Sequence, residues 1–170
     1  MGSEGLSPSA AVVRALNVPM TGHPSGALGR ASADVLSGVP LFAGLTKRQL
    51  RAVGDRAKIV RFSAGHRVIA EGTDGDAFYV VLEGVARVVR STSGRAIKRV
   101  GPGGFFGELA MIDGRPRSAN VIGVSPLVLL RLTRSAFLQV IRKQPDIALR
   151  VMEVLASRLR DAEGAPTAHL

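Results

Sequence analysis

The chain has 170 residues, 46% of them apolar and none of them cysteine, with a formal net charge of +10. That length supports one globular domain with its own core, and the lack of cysteine excludes disulfide frameworks, thiolate metal sites and cysteine nucleophiles, which fits a cytoplasmic address. No apolar run approaches the ~20 residues of a membrane-spanning helix, no signal peptide is expected because Arg14 cuts the first apolar stretch, and the positive excess, all of it beyond residue 36, favours anionic partners.

Residues 1–36 are rich in Gly, Ser, Pro and Ala, and Pro19, Pro24 and Gly26 interrupt any helical period, so they read as a flexible tail ahead of a domain spanning residues 37–163. Thr46, placed before Leu50 and Val53, is an N-cap for a short amphipathic helix that ends near Gly54. A new rhythm follows, with Gly65, Gly75, Gly84, Gly94, Gly104 and Gly114 recurring about every ten residues and strand-like runs at 67–70, 78–82, 85–89, 97–100, 119–122 and 127–132. Short β-branched runs separated by such turns indicate a β-barrel or sandwich, with Gly65, Gly75, Gly84 and Gly94 expected to supply positive φ in hairpins. Beyond Thr133 the period turns helical through Phe137, Val140 and Ile141, stops at Pro145, and resumes at Asp146 with an apolar face of Ile147, Val151, Val154, Leu155 and Leu159. Residues 164–170 read as a frayed end. The fold class expected is mainly β with flanking α-helices: a jelly-roll-like barrel with a short N-terminal helix and two C-terminal helices.

Residues 101–121 break the hairpin pattern. A glycine-rich turn leads into Glu108-Leu109-Ala110-Met111, one helical turn, and Arg117 then stands directly before the next strand. The first N–H groups of a short helix lack intrahelical partners, and glycines let a ligand approach the backbone, so this is an anion site with phosphate as its natural occupant. The amides of Leu109, Ala110 and Ser118 are candidates to bind it, and Arg117 can grip two of its oxygens in a planar fork. Arg115, between Gly114 and Pro116, reads as a solvated turn residue. A carboxylate repels phosphate, so Glu108 must face elsewhere; an ionised carboxylate only accepts hydrogen bonds, and a ribose 2′-OH held beside Gly107 would satisfy it.

The window resembles the phosphate-binding cassette of cyclic-nucleotide-binding domains, whose pattern is Phe-Gly-Glu-x-Ala followed by Pro-Arg-x-Ala-x-Val. Here it reads Phe106-Gly107-Glu108-Leu109-Ala110 and Pro116-Arg117-Ser118-Ala119-Asn120-Val121. The likeness extends upstream to the stretch 71–79 and Gly84, and covers residues 38–160 or so. Asn120 departs from the family, which usually carries threonine or an aromatic there. Catabolite activator protein, kinase regulatory subunits and nucleotide-gated channels belong to this family. The resemblance implies a β-roll, a cAMP or cGMP ligand on Arg117 and Glu108, no cofactor and no metal, and a last helix that moves with the ligand.

The helix at 146–161 is a candidate surface for a homodimer or an effector protein. His23, His66 and His169 are scattered and the glycines miss a dinucleotide fingerprint, so catalysis is not expected. Two alternatives remain open: the sensor part of a transcription regulator working with a DNA-binding partner or a missing helix-turn-helix, since direct DNA binding is not expected, and a degenerate member serving as a protein-interaction domain.

Overall fold

The computed structural model describes residues 25–27, 33, 36–39, 42, 44–94 and 96–164. Its strands are β1 (Ser25–Ala27), β2 (Lys58–Phe62), β3 (Arg67–Ile69), β4 (Ala77–Glu83), β5 (Ala86–Val89), β6 (Ala96–Val100), β7 (Phe105–Phe106), β8 (Asn120–Gly123) and β9 (Leu127–Thr133). Its helices are α1 (Lys47–Gly54), α2 (Glu108–Asp113), α3 (Arg134–Lys143) and α4 (Asp146–Ala162).

Strands β4 and β9 are apolar on both faces because both faces are covered. Side chains alternate along a strand, so Phe78, Val80 and Leu82 of β4, with Val128, Leu130 and Leu132 of β9, join Phe42, Leu50, Phe137 and Ile147 in a core beneath the helices. Their neighbours Ala77, Tyr79, Val81, Leu127 and Leu129 face the other way and meet Val88, Val100 and Val121 in a second core between two sheets. Those sheets are antiparallel, with orders β1-β2-β9-β4-β7 and β3-β8-β5-β6. They share no strand ladder among the described residues, so the expected barrel is an open roll.

Thr46 caps α1 as expected, and reciprocally: Gln49 N–H donates to Thr46 Oγ1 at 3.3 Å while Thr46 N–H donates to Gln49 Oε1 at 2.8 Å. Thr133 plays the same part for α3, accepting from Ala136 N–H at 3.2 Å. Within the stretch expected as a tail, Ala33 and Leu36 are buried in the core beneath the helices, and β1 pairs with β2. The rest of the expected tail, residues 1–24, 28–32 and 34–35, and the end from 165 onward lie outside the described residues. On α4, Ile147 and Val151 are buried and Val154 and Leu155 pack beside them, but Leu159, expected on the same face, is 60% exposed.

Candidate functional site

The second sheet and α2 enclose a pocket of about 180 Å³. One end of it is built by one sharp turn. Gly107, with φ +82, ends β7 and starts α2 with no side-chain cap, which leaves the first amides of α2 without a capping acceptor. A Cβ at Gly107 would lie 2.7 Å from Arg117 Nη1 and 3.0 Å from Ile69 Cδ1, so both the backbone conformation and the available space require glycine there.

Arg117 is the only charged or polar residue in the described core, 7% exposed. Nη1 donates to Gly107 O at 2.8 Å and Nη2 to Ala77 O at 2.6 Å, while its backbone is clamped to the 71–76 loop by Arg117 N–H to Thr73 O and Gly72 N–H to Arg117 O, each 2.8 Å. Burial pushes its pKa down, partly offset by Tyr79 and Asp76. A guanidinium carries five N–H donors, and the two carbonyl bonds fix its plane while leaving three.

Glu108, the first residue of α2, lies at the edge of the same pocket with its side chain 13% exposed and accepts at Oε1 from Arg158 Nη1 at 3.0 Å. Arg158 comes from α4, and its guanidinium also covers the Phe105 ring at 3.5 Å from the centroid. The rest of the pocket is walled by Ile69, Val88, Ile97 and Val121, with the cationic side chains of Arg90 and Lys98.

Residues 59–144 match the family model for the cyclic nucleotide-binding domain. The chain belongs to the cyclic nucleotide-binding domain family. Among its relatives in that family, the Cyclic AMP receptor protein of Thermus thermophilus is 33% identical over 131 residues, 75% of this chain and 61% of the relative. A cAMP-dependent protein kinase regulatory subunit of Aspergillus fumigatus is 33% identical over 115 residues, 68% of this chain and 28% of the relative. This chain thus spans less than two thirds of the length of either. The crystal structure of the N-terminal domain of a transcriptional regulator from Streptomyces coelicolor A3(2) superposes with a TM-score of 0.64 at 30% identity, covering 80% of this chain and 96% of that one.

The cassette residues of this cyclic nucleotide-binding domain converge. Phe106, Gly107, Glu108, Leu109 and Ala110 from one half-motif, and Arg117, Ser118 and Ala119 from the other, all line the one pocket. Leu109 is 54% exposed while lining that pocket. Arg115 is exposed in its turn, where its amide donates to Asp113 Oδ1 at 2.9 Å. Asn120 is tied up away from the pocket: its Oδ1 accepts from Glu71 N–H at 3.0 Å and its Nδ2 donates to Ser91 Oγ at 3.0 Å.

Sequence reasoning missed three residues of the site. Gly75 was expected to turn a hairpin, but it is absent from the positive-φ glycines, and a Cβ there would lie 2.5 Å from Arg117 Nε and 2.6 Å from Ala110 Cβ. It is glycine to make room for the arginine. Lys98 and Arg158 carried no motif; alternation along β6, which places Lys98 on the same side as Val100, was the signal available for the first, and nothing local marks the second.

Proposed function

We propose that this domain binds a cyclic nucleotide, cAMP or cGMP, and passes its occupancy on through α4 as a regulatory module without catalysing a reaction. The observation that carries the reading is Arg117, a buried cation whose two protein partners are neutral carbonyls. Burying a charge is costly unless an opposite charge compensates it, and the three free donors point the need toward a small anion. The amides of Leu109, Ala110 and Ser118 would share the phosphate with Arg117, and Glu108 would take the ribose 2′-OH beside Gly107. Phe106 and Ala119 line the space between. The names of the Thermus and Aspergillus relatives, both of which refer to cAMP, support the same ligand class.

Glu108 has a second oxygen, so the hydroxyl and Arg158 can be held together, and α4 is thereby wired to the sugar site. Ligand shifts α4 only to the extent that it binds the two positions of that helix unequally. Leu149, Met152 and Leu159 stand 56%, 57% and 60% exposed on α4, and with Ala156 between them they follow a 3-4-3 spacing that suits a helix-to-helix seam. A homodimer through this helix is the partner we favour over a separate effector. A second reading, as the sensor part of a transcription regulator, draws on the likeness to the Streptomyces coelicolor domain, 96% of which the match covers.

Displacement of a fluorescent cAMP analogue by cAMP and by 2′-deoxy-cAMP tests the assignment. The deoxy ligand should bind about 1.5 to 3 kcal/mol more weakly, the value of a hydrogen bond to a charged group. Equal displacement removes the role given to Glu108, and no displacement by either of these or by cGMP ends the cyclic nucleotide reading.

A further inference from the structure

The outer face of the second sheet carries its charge in a row. Directly opposed residues share a face of a sheet, and the register sets Arg67 of β3 against Ile122 of β8, Ile122 against Arg87 of β5, and Arg87 against Arg99 of β6. The three arginines are exposed and Ile122 is half-buried, whereas their chain neighbours Ala86, Val88, Val100 and Val121 are buried in the core between the sheets. The row therefore faces away from the other sheet. We propose that it docks an acidic amphipathic helix of a partner protein. Docking there needs no nucleotide, so it stands or falls separately from the cyclic nucleotide reading.

Like charges placed directly opposite each other destabilise a sheet, and Arg87 and Arg99 are so placed. Among the described residues none of the three arginines has an ion pair or a side-chain hydrogen bond. Glu71, joined to this sheet by its amide through Asn120, accepts at Oε2 from Ser91 N–H instead. Guanidinium groups without counter-charge suit carboxylates, which they grip in a planar fork.

The spacing decides what carries those carboxylates. Neighbouring strands lie about 4.8 Å apart, so Arg67, Ile122, Arg87 and Arg99 stand at about 0, 5, 10 and 14 Å along a line across the sheet. A helix laid on that line presents one side chain per turn of about 5.4 Å. It can set an acid, an aliphatic residue, an acid and a second acid over the four positions in order. An extended strand repeats each face at about 6.7 Å and is out of step by the second position. A phosphate backbone, charged about every 3.4 Å along each strand, would set charge against Ile122, as would an anionic lipid surface.

Fluorescence anisotropy tests the proposal with a labelled helical peptide of alanine and glutamine that carries glutamate on its first, third and fourth turns and leucine on its second. A peptide of the same composition with those four residues scattered around the helix is the comparison. The wild-type chain should bind the patterned peptide about tenfold or more tightly than the scattered one. Arg87→Gln with Arg99→Gln should abolish that advantage. Arg142→Gln with Lys143→Gln removes the same charge from exposed positions on α3, and should keep the wild-type affinity within about twofold if the row, not the net charge, holds the peptide. The sheet variant also relieves the repulsion within the row, so its melting temperature should hold or rise; should it fall, the two peptides on the wild-type chain still decide. Equal binding of the two peptides, binding of neither, an advantage that survives the sheet variant, or an equal loss in the α3 variant would overturn the proposal. Tighter binding of duplex DNA or of phosphatidylserine vesicles than of the patterned peptide would overturn it as well.

Discussion

Arg117 is held in place by residues that give way to it. Two carbonyls hold its nitrogens, Tyr79 and Asp76 offset part of its desolvation, and Gly75 and Gly107 leave the volume it occupies. Gly75→Ala therefore forces the guanidinium or Ala110 to shift, and should both destabilise the fold by about 1 to 3 kcal/mol and weaken nucleotide binding. Gly101→Ala is the matched control, because nothing stands within 4 Å of its Cβ position; it should leave melting temperature and affinity as they are. Equal behaviour of the two variants in thermal melts and titrations would show that Arg117 does not need the space. At this scale the cassette was legible because Phe106 to Ala110 and Pro116 to Val121 are contiguous. Gly75 and Arg158 were not, because what each does depends on a side chain 42 or 50 positions away that only the fold brings near.

Two elements on the helical side connect the pocket to α4. Arg134, at the start of α3, donates through Nε to Met111 O of α2 at 2.8 Å, and Met111 is itself buried among the helices. The direct link is Arg158 to Glu108. That pair is partly exposed, with side chains 32% and 13% accessible, so it should add only about 0 to 1 kcal/mol to stability and act mainly as a connection. Arg158→Met should therefore leave the melting temperature nearly unchanged but uncouple α4: its amide exchange should no longer respond to nucleotide. A response equal to that of the wild type would place the coupling elsewhere, with Arg134 the next candidate. The core beneath the helices is more demanding, and Leu130→Ala, at a site with no exposed surface, should cost about 2 to 5 kcal/mol by chemical denaturation. Strands β4 and β9 and helices α1, α3 and α4 were readable because their periods are long and their caps are local. Strands β1, β2 and β7 were not: β2 follows on α1 rather than on a hairpin glycine, and β7 is two residues long, fixed by Gly103 and Gly104 bonding to Val81.

Across the whole molecule, sequence pattern indicated a β-barrel or sandwich with flanking helices, but not that the roll would stay open, since closure depends on long-range ladders that no local signal specifies. Nor did it separate the two faces of α4, because both carry apolar residues and only one is covered. If the open face is a dimer seam, Met152→Glu with Leu159→Glu should give a monomer in sedimentation while cyclic nucleotide affinity persists; a monomeric wild type would reassign the face to another partner. Nucleotide binding is proposed to depend above all on an anion being held by Arg117. Calorimetry of wild type and Arg117→Ala with cAMP and cGMP tests that most directly: the variant should bind about 2 to 5 kcal/mol more weakly, as for a desolvated charge left without its partner, whereas equal binding of either nucleotide by both proteins would contradict it.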